Sequence, residues 1–371
     1  MERFAMSTGT RTAVALRRDF FAEQERTFLR VGALSASLFR YPTGVEALRL
    51  ANPRGSVVVL PFMGQMVWRA TFDGVELAMR GMFEVPRPSA TILDTYGPLA
   101  YHAGLLRNGT PGPEDDHPLH GEMPCMPMDE AGLEIGEDEA GPWLAVTGSR
   151  DYARGFGAHY RATLRVTLRA VATDFAMEIE VENCAAASMD LMYICHANFG
   201  LPEGACIVQP VPFDAEHVVT RTAIPGHVVP TERYRALLRD LAADPSGAEV
   251  LDDSARFSPE QVFYVKGLAP GTDGLAHFLL RRREGDGFKV AYDPMAMPHT
   301  VRWLLADEDH GVAAFAMPGT CEPEGYTAEK RKGNVRQLAP GERAHFKTHL
   351  GYADQAAATD LARLIAGSKG K

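Results

Sequence analysis

Cysteine is scarce and shows no pairing pattern. Five of the 371 residues are cysteine (Cys125, Cys184, Cys195, Cys206 and Cys321), and no CxxC occurs. An odd count without paired spacing argues against a disulfide framework and fits a reducing compartment. Long apolar runs are missing as well. No segment approaches the ~18 apolar residues of a membrane span. The opening MERFAMSTGTRTAVALRRDFF holds no apolar stretch of signal-peptide length. A soluble, cytoplasmic protein with no membrane partner is therefore expected. Basic charge is in deficit, with 38 Lys and Arg against 48 Asp and Glu and a formal net charge of −10. That balance argues against nonspecific nucleic-acid binding, so no nucleic-acid partner is expected. The basic runs Arg281–Arg283 and Lys330–Lys332 are short and isolated, and read as solvated strand ends or loops.

Several catalytic signatures are absent too. There is no GxxxxGK[ST] phosphate loop, no GxSxG elbow and no HExxH. The GFG at Gly155–Gly157 lacks the third glycine and the strand–helix setting of a dinucleotide fingerprint.

Turn punctuation and alternation are abundant. Thirty-five Gly and 25 Pro break the chain into short pieces. In ATLRVTLRAVA (Ala162–Ala172), Leu164, Val166 and Leu168 share one face, opposite Arg165, Thr167 and Arg169. FAMEIEVEN follows, with Met177, Ile179 and Val181 opposite Ala176, Glu178 and Glu180. The pair predicts a hairpin of half-buried strands. Met189–Gly200 reads as a strand ending near His196, and Val312–Gly319 and Glu342–Tyr352 read likewise. Helical signals are few: Thr231–Asp244 with a threonine cap, about 354–367 at the C-terminus, and a short helix over Arg11–Gln24. Many short strands with helices at the ends predict an all-β, large antiparallel sandwich. One domain is expected over 1–371, with a lead-in over 1–30.

The candidate chemistry lies in HPLHGEMPCMPMDE (His117–Glu130) and in residues beside strand ends. His102, His117, His120, His196, Glu322 and Glu324 are the histidines and carboxylates concerned. Three segments share one form: an apolar strand, a polar residue, then a Gly or Pro turn. In an antiparallel sandwich such strands can deliver their end residues to one open face. Histidine titrates near 6.5 and can act as acid or base near neutrality, with a carboxylate opposite as complementary base. Asn198, Gln209 and Lys266 are candidate hydroxyl-binding groups; Asn198 reads equally as a turn residue and Lys266 as a solvated charge. Trp68 and Trp303 could offer a platform to a sugar face or fill the core, and Trp143 carries no site reading. His117 reads as structural and Cys125 as a small packed residue.

PLHGEMP (Pro118–Pro124), YICHANFGLP (Tyr193–Pro202), CEPEGY (Cys321–Tyr326) and APGERAHFKTHLGY (Ala339–Tyr352) together resemble, in order and approximate spacing, segments of the aldose 1-epimerase (galactose mutarotase-like) family. The likeness runs from about Val57 to Tyr352 and points to a divergent branch. It implies a galactose mutarotase-like β-supersandwich and a cofactor-free interconversion of sugar anomers, with a small-molecule sugar as partner. By carry-over, Glu322 would take the C1 hydroxyl proton, His196 would protonate the ring oxygen, and His120 would bind near it. The family's arginine stretch is not matched cleanly; Arg107 and Asn108 in GLLRNG are the nearest candidates, and Arg107, His102, Asn198 and Lys266 are the expected substrate-binding residues. The family's second glycine after His-Gly is Glu122 here. The resemblance leaves the sugar unspecified and a homodimer open.

Two other readings are kept. His102, His117, His120, Glu122 and His196 could surround a Zn, Mn or Fe ion in a metal-dependent isomerase or lyase. The fold could also serve a noncatalytic sugar-binding protein.

Overall fold

The alternating segments become neighbouring antiparallel strands, His159–Arg169 and Asp174–Asn183, with Leu164 opposite Ile179 and Val166 opposite Met177. Their apolar side chains are fully buried, while Arg165 and Glu178 pair on the other face. The structure is a computed structural model, described over residues 11–224 and 228–368. Residues 1–10 of the expected lead-in lie outside the described residues.

Among the described residues the strands form one ten-stranded and one fourteen-stranded sheet. Residues of both sheets meet in a shared core: Leu164, Val166 and Phe346 from the first, Leu48, Leu105 and Tyr193 from the second. The Tyr193 and Phe346 rings stack across it at 4.6 Å. The fourteen-stranded sheet is also covered on its second face, where Trp68, Tyr101, Met192, Ile194, Val301 and Met317 form a separate buried cluster. Burial on both faces explains why the Met189–Ala197 strand, MDLMYICHA, reads as an almost continuous apolar run. The second, loop-covered face carries the site described below.

The helix Glu232–Ala243 begins where the Thr231 hydroxyl accepts the Tyr234 N–H, and it buries Leu238 and Leu241. The helix Gln355–Ser368 lays Ala358 and Ile365 against Leu279. No helix of the described residues is long and apolar enough to cross a membrane.

Two expectations are corrected. Arg11–Gln24 contains no α-helix: Arg11–Ala15 is an edge strand paired with Gly132–Gly136, followed by a 3₁₀ turn at Arg18–Phe20. β-Branched Thr12 and Val14 suit a pleated edge, and the open edge at 132–136 supplies the backbone partners. Lys330–Lys332 is not a solvated loop but the end of a helix, Tyr326–Lys332, whose Lys332 turns onto Glu322 and Glu329.

Candidate functional site

His196 and His120 meet on the loop-covered face with their ring centroids 4.8 Å apart. His196 extends from the Met189–Ala197 strand and stacks on Tyr101 of the neighbouring Ala100–Leu105 strand at 4.7 Å. Tyr96 and Trp303 stand edge-on to it at 6.2 and 6.0 Å. His120 comes from the loop after the Ala100–Leu105 strand, in the left-handed backbone region at φ +61°. The following residue is also left-handed (φ +79°), and a Cβ there would lie 2.0 Å from the Arg107 carbonyl oxygen, so Gly121 is obligatory. This close approach is the physical content of the His-Gly pair.

The hydrogen bonds fix the His196 tautomer. Asn198 Nδ2 donates to the Pro98 carbonyl, so its Oδ1 is the acceptor facing His196 Nδ1 at 2.9 Å. Nδ1 therefore carries the proton, and Nε2 presents a lone pair. Burial holds the His196 pKa well below its ordinary value, and His120 pushes the same way, while the Asn198 bond opposes. Burial, with His117 adding, lowers His120 to about 4. Both rings are neutral at pH 7. His120 Nδ1 is buried and has no protein hydrogen-bond partner.

Among the described residues, no hydrogen bond or ion pair links Glu322 to either histidine. Gly319 pairs with Ile194, two residues before His196, and Met317 lies in the same buried cluster as Ile194. Met317 pairs with Val301 and Val301 with Tyr264, while His196 pairs with Tyr101 on its other side. Glu322 follows the end of the Gly311–Gly319 strand. There its Oε2 accepts from Lys332 Nζ at 2.7 Å, and its Oε1 lies 3.8 Å from Lys266 Nζ. Buried Glu329 anchors this corner by accepting the Glu322 N–H, Asn334 Nδ2 and Lys332 Nζ. Glu322, Lys266, Lys332, His299, Tyr264 and Asn334 line a cavity of about 460 Å³. Glu324, two residues on, turns inward instead. It accepts the Tyr264 hydroxyl and pairs with Arg221, whose Nε is 2.7 Å from Oε1.

The remaining candidates divide as follows. Asn198 orients His196. Lys266 lies in the cavity with Glu322. Arg107 stacks its guanidinium 3.5 Å above the Tyr326 ring. His102 is next to Tyr101 in the same strand and therefore points to the opposite face, into the core between the sheets. It is fully buried there, with Nδ1 on the Tyr193 hydroxyl, and burial lowers its pKa to about 3. That position is closed to a ligand on the loop-covered face. Gln209 is also internal, bonded to the Val211 and Pro212 carbonyls and to Arg302. Trp68 is core, whereas Trp303 borders the histidines and donates to Glu260. His117 accepts the Tyr326 N–H and fastens its loop to that helix. Glu122 accepts the Leu105 and Leu106 N–H groups and the Tyr160 hydroxyl on one oxygen, a structural role. The five residues of the metal reading are thus not gathered, and among the described residues no group of three or more His, Cys, Asp or Glu could hold an ion.

Sequence reasoning missed Tyr96, Tyr101, Tyr264, His299 and Lys332. Tyr101 had one available signal: its parity, opposite to that of His102, sets it beside His196 once the strands are paired.

A family model described as a domain of unknown function, DUF4432, matches residues 42–352, and the chain belongs to that family. No curated protein matches the chain. Three solved structures share its fold at low identity. A proposed aldose 1-epimerase from Klebsiella pneumoniae is 17% identical with a TM-score of 0.75, over 98% of this chain and 96% of that one. A galactose mutarotase-like protein from Clostridium acetobutylicum is 13% identical, TM-score 0.58, over 87% and 99%. A proposed aldose 1-epimerase from Escherichia coli K12 is 14% identical, TM-score 0.51, over 82% and 97%. The fold is galactose mutarotase-like and all-β.

Proposed function

We propose that this protein is an aldose 1-epimerase-type isomerase that binds a sugar on the loop-covered face and interconverts its anomers at His196. The observation that carries the reading is the fixed tautomer: a buried, neutral imidazole with a free Nε2 lone pair, beside a second neutral histidine and framed by Tyr96, Tyr101 and Trp303. A resting imidazolium acid is not available at this position, so the roles differ from the carried-over scheme. His196 Nε2 takes the proton of the C1 hydroxyl as the bond from C1 to the ring oxygen breaks. The imidazolium, strongly acidic in this dry setting, returns the same proton to the ring oxygen. Both oxygens are bonded to C1, so one nitrogen can serve both. The aldehyde turns, and the reverse sequence closes the other anomer. His120 binds the sugar and supplies a polar contact to the developing charge. Glu322, engaged by Lys332, is not used as the base in this scheme.

Anomer exchange measured by saturation-transfer NMR over a panel of aldoses tests the reading. Accelerated exchange of one sugar, lost in His196→Ala, supports it; no acceleration for any sugar sinks it. The pairing of Glu322 with Lys332 favours one second reading, a sugar-binding protein without turnover, which binding without exchange would establish.

A further inference from the structure

Five acids are buried among the described residues: Glu46, Glu134, Asp286, Glu322 and Glu329. Each is paired with a base. Glu46 meets Arg18, Glu134 meets Arg11 and Arg165, Asp286 meets Arg282, and Glu322 and Glu329 share Lys332. The one buried arginine, Arg302, breaks this pattern. It is fully buried, and no carboxylate pairs with it among the described residues. It lies in the His299–Ala306 strand between Val301 and Trp303, which face the histidine side. Its own side chain therefore points into the core between the sheets, where the guanidinium lies 5.1 Å from the centre of the Phe213 ring. A bulge in the Gly311–Gly319 strand sets Phe315 and Ala316 together opposite Arg302. Arg302 Nε donates to the Phe315 carbonyl at 3.0 Å, and Nη2 donates to Gln209 Oε1 at 2.6 Å. Gln209 Nε2 donates to the Val211 and Pro212 carbonyls, which fixes its oxygen toward the guanidinium. Both acceptors of Arg302 are thus neutral. Nη1 is buried and has no protein hydrogen-bond partner. Burial lowers the Arg302 pKa to about 9, with Glu249 opposing from a distance, so the group is still cationic at pH 7.

We infer that Arg302 Nη1 binds a small monovalent anion of the chloride type, held in the core behind the strand that carries Trp303. Charge carries the argument. A guanidinium does not give up its proton inside a protein, and a buried ion is stable only when it is paired. The Phe315 and Gln209 oxygens satisfy donors and leave the positive charge uncompensated. A water molecule at Nη1 would do the same. An anion satisfies the open N–H groups and neutralises the charge together. The donors that remain favour a small ion. Nε and one Nη2 hydrogen are already taken, so a large oxyanion would find too few N–H groups, whereas a halide needs only one or two. The anion completes at Arg302 the pairing that every buried acid of the chain already has. Val301 and Trp303 flank Arg302, so the bound ion braces the strand whose Trp303 borders His196.

The test uses bromide and chloride on the full chain. Crystals grown in sodium bromide are expected to show an anomalous peak within about 3.5 Å of Arg302 Nη1. The thermal midpoint is expected to rise by about 3 °C between about 1 and about 100 mM chloride, with methanesulfonate holding the ionic strength constant, the response of a site that fills near the lower concentration. Arg302→Met keeps most of the side-chain volume and removes the charge, and it is expected to lose both the peak and the chloride response. Density at Nη1 without an anomalous signal, whether a water or Glu249 turned inward, overturns the site. A wild-type midpoint indifferent to chloride overturns it as well. A chloride response that persists in Arg302→Met belongs to an adventitious ion only and has the same consequence. If Arg302→Met does not fold, the presence or absence of the bromide peak in wild type decides.

Discussion

The His120 and His196 rings stand 4.8 Å apart and 63° from parallel, both neutral, and only His196 has its inner nitrogen satisfied. Two imidazoles this close cannot both be charged, because each would raise the cost of protonating the other in a site already desolvated. The pair is therefore an acceptor-rich centre at neutral pH. Its chemistry depends on which nitrogen is bare.

Removing that nitrogen should stop the chemistry and spare the fold. His196→Ala is expected to slow anomer exchange by about 10²–10⁴-fold, the usual contribution of a positioned acid–base group. Circular dichroism should be unchanged. Exchange at wild-type rate in a folded variant would remove His196 from the mechanism.

Asn198→Asp is expected to move the pH profile. A carboxylate facing Nδ1–H stabilises the imidazolium, so the His196 pKa rises. In wild type, exchange should stay flat as pH falls through 6.5 and decline only well below it, because burial depresses the His196 pKa. In the variant the acidic limb should shift upward. Identical profiles would mean that Asn198 does not set the state of His196.

Acid should also destabilise the fold through its buried histidines. His102, His120 and His196 have folded-state pKa values lowered below the ordinary 6.5. The unfolded chain therefore binds more protons below about 6.5, and stability falls as pH drops from there toward the folded values. For His120, the fall from 6.5 to about 4 corresponds to roughly 3 kcal/mol lost by pH 4. Urea midpoints between pH 8 and 4.5 should decline; a flat series would contradict the burial of these rings.

Gly121→Ala should be costly. The new Cβ meets the Arg107 carbonyl at 2.0 Å and the Gly104 carbonyl oxygen at 2.7 Å, at a positive φ. A loss of at least about 2 kcal/mol is expected from strain and overlap, read as a lower urea midpoint. Sugar affinity should fall as well, since His120 precedes this glycine. Wild-type stability would refute the close approach.

Much of the fold was legible because strand alternation is a local property. Leu164, Val166 and Leu168 declared a buried face, and Thr231 with Leu238 and Leu241 declared a helix, without any distant partner. The Arg11–Ala15 strand was misread because an edge strand acquires its hydrogen bonds from residues 132–136, more than a hundred positions away. The site was legible in part. His120, His196 and Asn198, singled out in the sequence, come together in the structure, and the His-Gly pair marked the backbone approach that demands Gly121. His102 and Tyr101 show the limit: adjacent in sequence, they face opposite sides of one strand, and only pairing with the 189–197 strand shows which one meets His196.

By itself, the sequence determined the strand-rich architecture, the few helices and the presence of a histidine-bearing turn, all of which follow from short-range periodicity and turn stereochemistry. Tertiary structure decided the protonation of His196, the diversion of Glu322 to Lys332 and Lys266, and the aromatic frame around the histidines. Those depend on burial and on groups brought together from distant strands, and desolvation and through-space hydrogen bonding leave no mark on local sequence pattern.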